Sequence, residues 1–150
     1  MRASAGTRAT RDEGGTAVVE FVVLAVLLLI PLIYLVMVMA RLQAGSYAVS
    51  QAAREAGRAF VTADSAASAQ SRAVAAARIA FLDHDFEDVG RVVVRCDGTP
   101  CLRPDGRVET TASVSVPLPL VPSFVRDVVP LSVPVSASHL STVDRFRGQP

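Results

Sequence analysis

Gly15-TAVVEFVVLAVLLLIPLIYLVMVM-Ala40, followed at once by Arg41, is the stretch on which the reading of this chain turns. Glu20 is its single charged residue. A helix from Val18 to Ala40 would reach ~34 Å, enough to cross a hydrocarbon core of ~30 Å. The run is longer than a secretory h-region, and no small-x-small cleavage site follows it, so it is expected to stay in the mature protein. Pro31 removes one helical hydrogen bond and predicts a kink or local loosening. The Gly14-Gly15 pair before the run is expected to break the chain ahead of the helix.

Outside this run the composition limits what the chain can build. One membrane segment in 150 residues leaves room for a single small domain. The hydrophobic fraction is 51%, yet aromatics are only 5% and Trp is absent, so Ala and Val must supply the core. That suits long helices over a thin sheet. A net charge of +1 gives no support for nucleic-acid binding. Arg2, Arg8 and Arg11 precede the apolar run and Arg41 follows it, so the positive-inside rule puts the N-terminus in the cytoplasm and the C-terminal part outside.

Taken in order, residues 1–15 read as a cytoplasmic leader, 16–41 as the transmembrane helix, 42–88 as an extracytoplasmic helical region and 89–150 as a small β domain. Helical spacing continues past the membrane run, with Val49, Ala53, Ala56 and Phe60 forming an apolar stripe. Ser46, Ser50, Ala53 and Gly57 form an overlapping stripe of small residues, through which another helix backbone could approach. Glu55 and Arg58 can pair at i,i+3 on the outer face. Thr62-Ala63-Asp64-Ser65 supplies cap residues for a second helix, Ala66 to Leu82, with Val74, Ala77 and Phe81 on one face. The acidic run Asp83-His84-Asp85-Phe86-Glu87-Asp88 ends it.

From Val89 the period changes to two. Residues 91–95 read as a strand, and Val108, Thr110, Ala112, Val114 and Val116 alternate with polar residues as a second. Pro117, Pro119 and Pro122 break up a loop, and residues 123–129 are expected to form a helical turn. Leu131, Val133, Val135, Ala137 and His139 make a third strand, with Pro134 pointing to a sheet edge. The expected fold is α+β: a long N-terminal helix, a second helix, and an antiparallel sheet of about three strands.

Few residues carry chemistry. Cys96 and Cys101 are the only cysteines, and outside the cytoplasm a disulfide closing their short turn is the simple reading. Metal binding there would need two further ligands, with only His84 and His139 on offer, so no metal or cofactor is expected. The acidic run with His84 lacks the glycine-punctuated spacing of a calcium loop and reads as a solvated helix end. Neither histidine has a nucleophile in a recognisable context, so no catalytic residues and no enzyme are expected.

Glu20 holds the most information. A carboxylate in hydrocarbon costs ~2.5 kcal/mol or more at the bilayer centre and less near the interface. It either snorkels to the headgroups or meets a cation at the same depth. Cleavage after Gly15 would create that cation as the new amine of Thr16. In a bundle, Glu20 of one subunit would then neutralise Thr16 of its neighbour, so the two charges compensate only when helices assemble in register.

Gly15, with Glu20 as the fifth residue and Phe21 as the sixth beyond it and a long apolar helix after them, resembles the processing site of type IV pilin-like proteins. The run from Asp12 to Phe21, together with Gln51-Ala52-Ala53-Arg54-Glu55-Ala56-Gly57-Arg58-Ala59 and the Val-rich strands after it, resembles the TadE-like family of Flp (tight adherence) pilus systems. The resemblance implies a minor pilin or pseudopilin that is cut by a prepilin peptidase and acts in pilus assembly. Gly15 would precede the cut, Thr16 would be the new N-terminus, Glu20 the assembly carboxylate and Phe21 its flanking aromatic. A cut after Gly14 would make Glu20 the sixth residue, so the spacing favours Gly15. The implied partners are the membrane, other pilin subunits, the assembly machinery and the peptidase. The C-terminal part goes beyond a minimal Flp pilin, which favours a minor subunit over the bulk one. The rival readings are an unprocessed, signal-anchored binding or secretion-accessory domain and, more weakly, a membrane-tethered enzyme.

Overall fold

In a computed structural model, residues 14–86, 90–119 and 132–146 are described. The leader through residue 13, Glu87, Asp88, Val89, Pro122, the turn expected over 123–129 and Leu131 lie outside them. Two helices, α1 (Gly14–Val61) and α2 (Ala66–Leu82), precede three strands, β1 (Arg91–Cys96), β2 (Arg107–Pro117) and β3 (Ser132–Thr142). The fold is α+β. Helix α1 starts at Gly14, so the glycine pair belongs to its first turn and does not break the chain ahead of it. Pro31 lies inside the helix without ending it. Glycine keeps its N–H and costs a helix only ~1 kcal/mol of backbone entropy, too little to stop a helix that the long run after it propagates.

The chain divides into two compact units between Val36 and Met37. In the first, every described side chain from Thr16 to Ile33 is exposed. An 18-residue window of α1 reaches a mean hydropathy of 3.1 with none of it buried. By length and composition this one helix can cross a membrane.

The second unit holds the core. Along α1 the buried positions are Gly45, Ala48, Val49, Ala52, Ala53, Ala56, Gly57 and Phe60, which repeat at three and one as one helix face requires. All but Val49 and Phe60 are Ala or Gly, so the helix backbone comes close to what it covers. A Cβ on Gly45 would collide with Val116 Cγ2 of β2, and one on Gly57 would sit 2.5 Å from Ser141 Oγ of β3 and 3.3 Å from Thr110 Oγ1 of β2. Between these contacts α1 advances ~18 Å while β2 returns ~20 Å. The helix therefore runs antiparallel to β2, along the sheet. The small residues Ala53 and Gly57 thus face the chain's own sheet, whereas Ser46 is exposed and Ser50 is half-buried, its hydroxyl bonded to Ser46 O. Glu55 and Arg58 are both exposed, with no ion pair between them among the described residues.

Helix α2 is capped by Ser65, whose Oγ accepts the Ser68 N–H at 3.3 Å. It buries Ala69, Ala73, Ala77, Ala80 and Phe81. The expected face is right at Ala77 and Phe81 and wrong at Val74, which is 48% exposed. The alanines win that face because they allow closer packing than a β-branched side chain, and they join the α1 stripe and the inner side of β2 in one cluster. The helix ends on a Schellman pattern: Asp85 takes φ 60°, Asp85 N–H donates to Leu82 O at 3.1 Å, and Phe86 N–H donates to Phe81 O at 2.9 Å. The turn drives Phe86 into the core, 2% exposed, where the Arg41 guanidinium lies 5.5 Å from its ring centre.

The sheet is antiparallel in the order β1-β2-β3. Cys96 pairs with Val108, and Arg107 to Pro117 pairs with Thr142 to Ser132 without a break. On β2 the expected alternation holds at all five positions, with Val108, Thr110, Ala112, Val114 and Val116 buried. Strand β3 lies at an edge and carries Pro134 opposite Ser115.

Candidate functional site

The residues singled out in the first turns of α1 fall along one short length of helix. Thr16 and Glu20 are four residues apart, on successive turns of the same side and ~6 Å apart along the axis. Phe21 follows at 72% exposure, and the flanking Val18, Val19 and Leu24 are exposed as well. Among the described residues the Glu20 carboxylate forms no ion pair or hydrogen bond. A charged group without a partner on an otherwise apolar, fully exposed helix surface is chemically suited to pairing with a cation supplied from outside this surface.

A second cluster lies at the β1–β2 connection. Cys96 and Cys101 form a disulfide with Cα atoms 5.4 Å apart. The loop they close is tied down further by the ion pair of Arg103 with Asp97 at 2.9 Å, by Asp97 N–H donating to Arg107 O and by Gly106 N–H donating to Arg103 O. Partial desolvation raises the Asp97 carboxyl. The Arg107 backbone N–H, the Arg103 guanidinium and its own backbone N–H together outweigh that, leaving it below its ordinary value of 3.8. Arg145 reaches Asp105 at 3.8 Å beside the same loop. These contacts hold the end of the hairpin in place.

Elsewhere, His84 Nε2 lies 3.3 Å from Gln51 Oε1 and joins the end of α2 to α1. His139 is half-buried opposite Thr110. The two histidines therefore sit in separate places. Among the described residues no three His, Cys, Asp or Glu side chains converge as a metal site.

Sequence reasoning missed one surface. Ala67, Ser71, Val74, Ala75, Arg78 and Leu82 line a shallow depression of about 790 Å³ on the outer side of α2. The available signal was that α2 has more apolar residues than one stripe can bury. The chain matches no protein-family model, no curated protein and no solved structure.

Proposed function

We propose that this chain is a non-enzymatic, membrane-anchored subunit of the pilin-like class. In this reading it is a minor pilin or pseudopilin, of the kind the TadE-like resemblance implies, acting in assembly of a Flp-type pilus. One observation carries the reading: Glu20 stands alone in the apolar, exposed part of α1, one helical turn beyond Thr16.

Cleavage after Gly15 places a protonated amine on Thr16. In a packed assembly Glu20 of one subunit accepts that amine from the next, and each charge lowers the cost of burying the other. The apolar helix stores the subunit in the cell membrane until it packs against other subunits. The basic residues of the leader favour an N-terminus inside. The Cys96–Cys101 bridge suits a domain outside, where disulfides persist. The second unit then contacts other pilus proteins.

Mass spectrometry of the membrane-extracted protein tests this directly. The expected mature N-terminus is Thr16 in cells with a prepilin peptidase and Met1 in cells without it. Intact protein starting at Met1 in peptidase-positive cells sinks the reading and leaves an anchored binding domain in its place.

A further inference from the structure

The two ends of the sheet stand at different levels along α1. Gly45 meets Val116, and Gly57 meets Thr110 and Ser141, so β2 runs back toward Met37, where the second unit begins. The apolar run of α1 ends at Ala40, and Arg41 is the first charge after it. An arginine closing such a run holds its guanidinium at the headgroup level of a bilayer. Gly45 lies only ~6 Å beyond Arg41 along the helix. Two residues past Val116 the chain has returned by ~7 Å, which brings Leu118 back to the level of Arg41. Strand β3 starts close to the same level, because Ser132 pairs with Pro117.

The ends also differ in chemistry. From Val116 to Arg107 the sheet extends ~30 Å away from that level. At its far end the Arg103–Asp97 and Arg145–Asp105 pairs surround the disulfide loop, and Arg107 is exposed. At the end level with Arg41 stand Pro117, Leu118, Pro119, Ser132 and Val133, none of them charged. The sequence joining the two strands, 118–131, holds eight Leu, Val or Phe residues against one Arg and one Asp. The exposed acids Asp83 and Asp85 flank His84, which meets Gln51. Gln51 lies ~15 Å beyond Arg41 along α1, so this acidic turn stays in water.

We propose that this end of the sheet rests on the bilayer that α1 crosses, with Leu118 in contact with lipid and the Cys96–Cys101 loop turned away from it. Lipid is the occupant because both strand ends stand at headgroup level and a mainly apolar sequence joins them there. A protein partner would have to be recruited to that level, whereas α1 already holds the lipid beside it. Apolar side chains at such a boundary leave water by entering the acyl region. With one hold at α1 and a second at the sheet end, the second unit stands upright and presents its disulfide loop ~30 Å above the surface. The proposal rests on α1 spanning the membrane, and it does not depend on cleavage after Gly15 or on the pilin reading.

The test places the full chain in phosphatidylcholine vesicles, with one added cysteine carrying a fluorophore. The native cysteines are paired with each other and do not label. Lipids bearing a nitroxide near the top of the acyl chain quench a probe that touches them. Leu118→Cys is expected to lose at least half of its fluorescence, Thr142→Cys less than a tenth, and Ser132→Cys an amount between the two. Leu27→Cys, inside the apolar run, reports on the span itself and is expected to be quenched. Quenching at Leu27 with Leu118 as bright as Thr142 overturns the proposal and leaves the span intact. Equal quenching at Thr142 and Leu118 also overturns it, because the sheet would then lie flat on the membrane. An unquenched Leu27 removes the span and the proposal together. Where Leu118→Cys loses amide protection in β2, the comparison of Ser132 with Thr142 decides.

Discussion

Gly57 of α1 lies directly against Ser141 of β3: a Cβ on the glycine would fall 2.5 Å from the serine Oγ. The same Cβ would lie 3.6 Å from Ser141 Cβ, an ordinary contact, so the main obstacle is the serine hydroxyl, with Thr110 Oγ1 at 3.3 Å a lesser one. Gly57→Ala gains ~1 kcal/mol of helix propensity and loses ~1–3 kcal/mol to overpacking. The expected net result is destabilisation, read as faster amide exchange in β2 and β3, with ~1.4 kcal/mol giving tenfold. Adding Ser141→Ala is expected to restore protection. Unchanged exchange in the single variant would show that the helix can shift without penalty.

Breaking the Cys96–Cys101 bridge opens a loop with a sequence separation of five. On the chain-entropy model so small a loop contributes about 2 kcal/mol. Replacing both cysteines by serine is expected to speed exchange most at Asp97 N–H and along β1, because those bonds lie next to the bridge. A uniform change across the whole second unit would place the effect elsewhere.

Asp97 sets an acid-side dependence. Its folded-state value lies below the ordinary 3.8, so its contribution is present above 3.8 and is lost as pH falls through the lower folded value. Carbon-detected NMR titration is expected to find the Asp97 midpoint below 3.8. Asp97→Asn is expected to remove the part of the acid-side stability loss that arises at this loop. A midpoint at or above 3.8 contradicts the hydrogen-bonded geometry.

Asp85 occupies a left-handed position that glycine adopts without steric cost. Asp85→Gly is expected to raise stability by ~0.5–1 kcal/mol, measured as slower exchange at Phe86 N–H. Phe86→Ala, in contrast, empties a site buried against Gly45 and Arg41 and is expected to destabilise by ~3–5 kcal/mol.

Glu20→Gln keeps the shape of the side chain and removes its charge. On the proposed pilin reading, membrane insertion and a Thr16 N-terminus are expected to persist in this variant, while incorporation into pili, measured by immunoblot of sheared filaments, falls at least tenfold. Full piliation by this variant would remove the charge-pair mechanism and leave cleavage untouched.

Much of this architecture is written locally. The run after Gly15 is apolar on all sides, so no helical phase has to be guessed. On β2 the alternation from Val108 to Val116 fixes the buried face by itself, because a strand has only two sides. Pro134 announced an edge since it has no N–H to give. Glu20 and Thr16 could be placed on one side of a helix from their spacing alone.

Other features were decided only when distant segments met. An Ala-rich helix offers several nearly equal faces, so the choice of Ala69, Ala73, Ala77 and Ala80 over Val74 depended on how closely the neighbours pack. The small residues Ala53 and Gly57 could have received another chain's helix; what they meet is this chain's own sheet, because Thr110 and Ser141 come within reach of Gly57. Asp85 became a left-handed cap because burying Phe86 beside Phe81 stabilises that turn. Periodicity along a chain specifies which residues share a face, but the partner of that face is set by contacts far apart in sequence.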